Sequence, residues 1–170
     1  LKPVALAELI AETAELLRVS IPQRVRLHFQ LQELPPLLAD GSQLRQVIMN
    51  LLLNAAEAVG DREGQIRIKT EALDVDHRLL AETYLAADLP TGRYQCLEVR
   101  DDGAGMPPGL VEKIFEPFFS TKFVGRGLGL AAVLGIVRAH KGTLLVDSHE
   151  GQGSCFRVFL PEQLAEPAAP

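Results

Sequence analysis

The stretch Glu98 to Gly109, EVRDDGAGMPPG, sets two adjacent carboxylates against Gly103 and Gly105 and then two prolines, a composition that neither a core strand nor an ordinary helix would choose. The strand-like QCLEVR before it delivers Asp101 to a strand end, where it reads as the rim of a pocket. A carboxylate accepts hydrogen bonds only, so it suits the exocyclic amine of adenine and disfavours guanine, which offers an acceptor at that place. The two glycines remove side chains, so that a flat ligand can approach the backbone. The plain alternative is a tight turn in which Asp102 and Gly103 merely reverse the chain.

GRGLGL, Gly125 to Leu130, puts three glycines at alternate positions just ahead of a helix. Free backbone N–H groups and the positive end of the helix dipole suit phosphate there, with Lys122 and Arg126 as local cations. No Lys-Ser or Lys-Thr follows, so this is not a P-loop. Gly127, Gly129 and Ala132 satisfy a loose dinucleotide pattern, with Asp147 at a strand end beyond, and a dinucleotide binder is one rival reading. Phe115, Phe118, Phe119 and Phe123 precede the glycines as a small core or as the apolar hinge of a closing lid.

A third group lies earlier. On a helix from Ser42 to Val59, Gln43, Gln46, Asn50, Asn54 and Glu57 share an arc of about 80 degrees. Most other positions are apolar, so the helix is expected to be buried. A solvent face normally carries Lys, Glu and Arg, better helix formers than Asn. Two asparagines one turn apart suit a polar ligand instead, and an amide oxygen can hold magnesium, which takes its remaining ligands from water and phosphates.

The elements that must position these groups follow from periodicity. Leu6, Leu9, Ile10, Leu16 and Leu17 mark a first helix, and Val25, Leu27, Phe29 and Leu31 alternate with Arg24, Arg26, His28 and Gln30 in a half-exposed strand. LPPLLADG reads as a turn before the amide helix, and QIRIKTEAL and GRYQCLEVR as strands around a polar, Ala-rich insertion over 74–91, loop or short helix. The glycine-led third helix stops at Gly142, and TLLVDS and SCFRVFL form a hairpin through HEGQG. Helices interleaved with hairpin strands predict an α/β two-layer sandwich, a mixed, mostly antiparallel sheet covered on one face by three helices.

Composition narrows the partners. A net charge of −5 without a basic run lacks the footprint of a phosphate-backbone binder, so nucleic acid is not an expected partner. No apolar stretch approaches eighteen residues and no secretion signal opens the chain, which predicts a cytoplasmic domain without membrane contact. Cys96 and Cys155 have neither redox nor zinc spacing and read as small core residues. A start at Leu1 and a Pro/Ala-rich finish suggest a domain cut from a longer chain, with 1–161 folded and 162–170 a disordered tail or linker.

In order along the chain, NLLLNAAEA, DDGAGMP, FEPFFSTK with GRGLGL, and GQGSCF resemble the N, G1, F, G2 and G3 boxes of sensor histidine kinases, a match covering about residues 1–161. The resemblance implies the catalytic ATP-binding domain of that family, in the Bergerat-type fold shared with gyrase and heat-shock chaperone ATPases. It implies that Asn54 ligates Mg2+, that Asp101 binds adenine with support from Ser154, and that Gly103, Gly105 and Met106 belong to the same nucleotide site. It likewise implies phosphate contacts from the backbone of Gly127, Leu128 and Gly129, with Asn50, Lys122, Arg126 and Leu130 nearby.

Where related ATPases carry a glutamate to activate water, this chain has Asn50, which takes no proton at neutral pH. Losing a positioned general base costs about 10²- to 10⁴-fold, so hydrolysis is expected to be slow and ATP preserved for a histidine. None of the four histidines resembles the family's acceptor; His149-Glu150 has the acidic neighbour but falls in the hairpin loop. The implied partners are therefore dimerisation and phosphotransfer helices outside this sequence and, indirectly, a response regulator receiver domain. Glu57 and Arg126 depart from the family's usual residues, and the lid between Lys122 and Gly125 is short. The rival within the superfamily is a nucleotide-binding regulatory module without kinase activity.

Overall fold

The computed structural model describes residues 1–85, 88–116 and 129–162. Its elements run β1 (Lys2–Val4), α1 (Leu6–Leu17), β2 (Val25–Leu31), β3 (Leu37–Ala39), α2 (Gly41–Val59), β4 (Gly64–Val75), α3 (His77–Ala81), β5 (Gly92–Asp101), α4 (Gly129–Ala139), β6 (Thr143–His149) and β7 (Gly153–Pro161). Five strands form one sheet in the order β2-β4-β5-β7-β6, in which only β2 and β4 pair in parallel. This is the mixed, mostly antiparallel sheet that the strand and hairpin signals predict.

The alternation of apolar residues sets which face of the sheet is covered. Ile66 and Ile68 of β4, Leu97 and Val99 of β5, and Phe156 and Val158 of β7 are buried against one core with the helices. Into it α2 projects Leu44, Val47, Ile48, Leu51, Leu52, Ala55 and Val59. Each large aliphatic residue so buried contributes roughly 1.5–3 kcal/mol. Asp40 begins this helix, its carboxylate accepting from Gln43 N at 3.2 Å. Helix α1 packs beside α2 through Leu6, Leu9, Ile10, Ala14 and Leu17, whereas Leu16 points out and is 64% exposed. On the other side of α2, α4 inserts Val133 and Val137, and it ends where Lys141 adopts φ 59° and Gly142 N donates to Val137 O at 2.9 Å.

Two local expectations change. LPPLLADG is more than a turn, because Leu37–Ala39 pairs antiparallel with Lys2–Val4 in a second, two-stranded sheet. The insertion contributes the last residues of β4 and then α3, capped by Asp76 through Leu79 N at 2.9 Å. Leu80 there packs with Val75, Tyr94, Cys96 and Phe159, a smaller cluster on the sheet face away from the three long helices. From that face the insertion reaches the β6 edge, where Tyr84 N donates to Leu144 O at 3.0 Å and Leu85 N to Thr143 Oγ1 at 3.1 Å. Cys96 and Cys155 are buried free thiols, and desolvation pushes them up to about 12 and about 11 respectively.

The order of β6 also separates the fold from a dinucleotide-binding one. A dinucleotide-binding fold is built on an open, mostly parallel sheet, whereas β7 here lies between β5 and β6 and pairs antiparallel with both. Here β6 pairs antiparallel with β7 at the sheet edge, and Asp147 sits in it, exposed and 3.1 Å from His149.

Candidate functional site

The two neighbouring carboxylates of the DDG stretch face opposite ways. Asp102 is exposed and closes the end of the β4–β5 ladder, its Oδ1 accepting from Gln65 N at 2.9 Å and its own N–H donating to Gln65 O at 3.3 Å. Asp101 turns inward and is 4% exposed. Its Oδ1 accepts from Gly103 N at 2.8 Å, while Oδ2 is buried without a partner among the described residues. Burial raises the pKa of this carboxyl, partly offset by the N–H groups of Gly103 and Ser154. Leaving a buried acceptor without a donor costs about 1–3 kcal/mol, and such an oxygen is the mark expected of a group that awaits a donor.

The glycines around it serve the fold more directly than the sequence suggests. A Cβ on Gly103 would collide with the Ala58 carbonyl, and one on Gly105, at φ +69°, with the His149 carbonyl. What approaches those bare backbones is protein. Ala104 N donates to Ala58 O at 3.1 Å, and Gly151 N to Ala104 O at 2.6 Å, so the loop after β5 is clamped between α2 and the β6–β7 turn.

Sequence reasoning missed a residue in this clamp. Ser148 Oγ accepts from Met106 N at 2.9 Å and lies 2.7 Å from Ser154 Oγ. Ser154 in turn stands opposite Asp101 in the β5–β7 register. One hydroxyl on β6 thereby joins the loop bearing Met106 to the strand backing Asp101. Its only sequence signal is a serine late in a short edge strand, a common surface choice that points to nothing by itself.

The amide helix completes the arrangement. Asn50 Nδ2 donates to Gly129 O, the first residue of α4, at 3.2 Å. Two turns further along α2, Ala58 O holds Ala104. Asn54 lies midway, one turn from each tie and half-buried, so the start of the glycine-led helix, the asparagine amide and the DDG loop gather on one side of α2. The expected polar stripe is not buried along its whole length. Gln43 and Gln46 are exposed, whereas Asn50, Asn54 and Glu57 are partly enclosed.

Leu130 is half-buried against the main core beside Gly129. Lys122, Arg126, Gly127 and Leu128, and with them Phe118, Phe119, Phe123 and the short lid, lie outside the described residues. Phe115 is described and buried, its ring 4.9 Å from that of Tyr84 in an edge-to-face contact. His149 ends β6 instead of standing in the loop, and Pro161 ends β7, with 163–170 outside the described residues. A groove of about 630 Å³ lies well away from all of this, between α1 and β2.

Comparison with known proteins bears on the family and the fold. Residues 39–164 match the family described as histidine kinase-, DNA gyrase B-, and HSP90-like ATPase. The chain is 41% identical over 140 residues to the sensor kinase CckA of Brucella abortus (strain 2308), covering 81% of this chain and 14% of that protein. It is 37% identical over 160 residues to the signal transduction histidine-protein kinase AtoS of Escherichia coli (strain K12), covering 93% of this chain and 23% of that one. Among solved structures, the catalytic domain of histidine kinase ThkA aligns with a TM-score of 0.74 at 30% identity, over 95% of both chains. Full-length ShkA in complex with AMPPNP aligns with a TM-score of 0.75 at 28% identity, over 96% of this chain and 31% of that one. The chain thus spans less than a quarter of either curated relative's length.

Proposed function

Since the chain belongs to the histidine kinase-, DNA gyrase B-, and HSP90-like ATPase family, we propose that it is the ATP-binding catalytic domain of a sensor histidine kinase, presenting the γ-phosphate of ATP to a histidine outside this sequence. The observation that carries the reading is the partnerless Oδ2 of Asp101. A buried, acceptor-only oxygen selects a ligand edge with an N–H, as the exocyclic amine of adenine provides.

The residues present also suit a magnesium ion brought in with the nucleotide. Among the described residues no three His, Cys, Asp or Glu side chains gather into a metal cluster. An ion at this place would take a single protein oxygen from the Asn54 amide and the rest from phosphates and water, which magnesium tolerates. Bound there, it would neutralise phosphate charge. Asn50 cannot abstract a proton, and its nitrogen is engaged by Gly129 O, so it positions α4 and leaves water unactivated. Aligning a phosphoryl donor in a site without a base favours transfer to an incoming imidazole over hydrolysis.

The acceptor is a histidine on the dimerisation helices of the parent kinase, and a response regulator receiver domain takes the phosphoryl group afterwards, in a cytoplasmic setting. In support, both curated relatives described above are sensor or histidine-protein kinases by name, and no helix of the described residues is long and apolar enough to cross a membrane. The test mixes this chain with the parent's helix pair and ATP labelled at the γ-phosphate. Label on the helix histidine is the expected result; ATP binding without transfer would return the domain to a regulatory nucleotide module.

A further inference from the structure

The two edges of the main sheet are finished differently. At β6 the insertion lies against the outer strand through Tyr84 N and Leu85 N. At β2 no described residue pairs with the outer side of the seven-residue strand, which contains no proline. An unpaired strand of that length presents a row of backbone donors and acceptors about 23 Å long, at roughly 3.3 Å per residue.

The side chains flanking that edge fall into two sets. Towards the helices, Leu27 and Leu31 are half-buried and Phe29 is 41% exposed, because α1 leans on α2 and presents small Ala11 and Ala14 towards the strand. These residues line the groove of about 630 Å³. On the opposite face Arg26 and His28 are exposed, with Arg67 beside His28 on β4 and Arg100 beside Arg67 on β5. Neither Arg26 nor Arg67 has an ion-pair partner among the described residues, and stacking two arginines across neighbouring strands is unfavourable by itself. This cationic stripe stands in a chain whose net charge is −5.

We infer that the β2 edge is a docking site for an extended segment of a partner protein, six to eight residues in which large apolar side chains alternate with acidic ones. Such a segment adds as a sixth strand. Its apolar side chains enter the groove between Ala11 and Phe29, and its carboxylates lie beside Arg26 and His28, where guanidinium forks suit them. Charge decides against a second copy of this chain: antiparallel pairing of two β2 strands about His28 would set His28 against His28, flanked by Arg26 of both copies. The chain's overall negative charge is a weak obstacle, since fields fade within about 8 Å at physiological salt and the acid lining the groove, Glu15, is paired with Arg18 at 2.7 Å. The proposal is independent of the nucleotide site.

The experiment titrates the isotope-labelled chain, a unit that solved relatives show as a catalytic domain on its own, with an end-blocked octapeptide alternating leucine and glutamate. A second peptide carries lysine in place of glutamate. Expected are amide shifts confined to Val25–Leu31 and the facing side of α1, at least tenfold weaker binding of the lysine peptide, and a tenfold loss in Arg26→Glu. Ala11→Arg, which fills the groove without touching the strand, is expected to lose binding as strongly, and both variants keep ATP affinity and the parent melting temperature. Shifts elsewhere, equal affinity for the two peptides, indifference to both substitutions, or concentration-dependent self-association that protects the β2 amides without peptide would each overturn the proposal.

Discussion

Asn50 Nδ2 donates to the carbonyl of Gly129 across 3.2 Å, joining the amide helix to the first residue of the glycine-led helix over 79 positions of sequence. The bond uses the residue that stands where related ATPases carry a general base. In the proposed reading, the amide that cannot activate water supplies a donor for a backbone acceptor at a helix start. Asn50→Asp is accordingly expected to do two things. Carboxylate faces carbonyl, so the chain loses about 1–2 kcal/mol of stability, read by urea unfolding. It does not gain ATPase turnover, read by phosphate release, because the tie that holds α4 is broken.

Asp101→Asn keeps an oxygen for Gly103 N but places an amide where Oδ2 awaits a donor. ATP affinity is expected to fall about 10- to 100-fold, and the preference for ATP over GTP to narrow, by calorimetric titration. Retained ATP affinity together with retained discrimination would remove Asp101 from adenine recognition.

The raised pKa of Asp101 gives a pH signature. The fold holds this proton more tightly than the unfolded chain does. Its stabilising contribution is therefore present in acid, below the ordinary aspartate value, and is lost as pH rises through the raised folded value. Asp101→Asn escapes that loss, so the variant's melting temperature relative to the parent is expected to improve from acid towards neutrality. ATP binding moves oppositely in the parent: it weakens as the carboxyl is protonated on going into acid, and the variant does not share that step.

Asn54→Ala is expected to leave affinity for ATP in excess EDTA nearly unchanged while abolishing the gain on adding magnesium. Parallel titrations with and without the ion separate this from a general loss. A variant that still responds fully to magnesium would exclude the Asn54 amide as its ligand.

Ser148→Ala strands Met106 N and removes the hydroxyl beside Ser154. A loss of about 1–2 kcal/mol is expected in unfolding, with weaker ATP binding since the loop is no longer anchored. Gly105→Ala is expected to cost more than Gly109→Ala. Both have positive φ, but a methyl group at Gly105 meets the His149 carbonyl whereas one at Gly109 meets open space.

The order of the three long helices and the five strands of the main sheet was legible in the sequence, as were the groups proposed for the site. Alternation at Val25–Leu31 marks a strand with one apolar face, and the arc through Asn50 and Asn54 marks a helix with a polar purpose, because side-chain periodicity is a local property of the backbone. Four ordered glycine- and asparagine-bearing blocks were enough to point to the family. What tertiary structure alone decided are the contacts between distant segments. That Asp101 turns inward and Asp102 outward, that Gly103 and Gly105 yield space to Ala58 and His149, and that Ser148 anchors Met106 follow from how α2 and the β6–β7 hairpin close on the loop after β5. The same holds for the β1–β3 pairing, the course of the insertion to Leu144 and the open edge at β2. Periodicity records which face of an element is apolar; it carries no record of which remote backbone that face will meet.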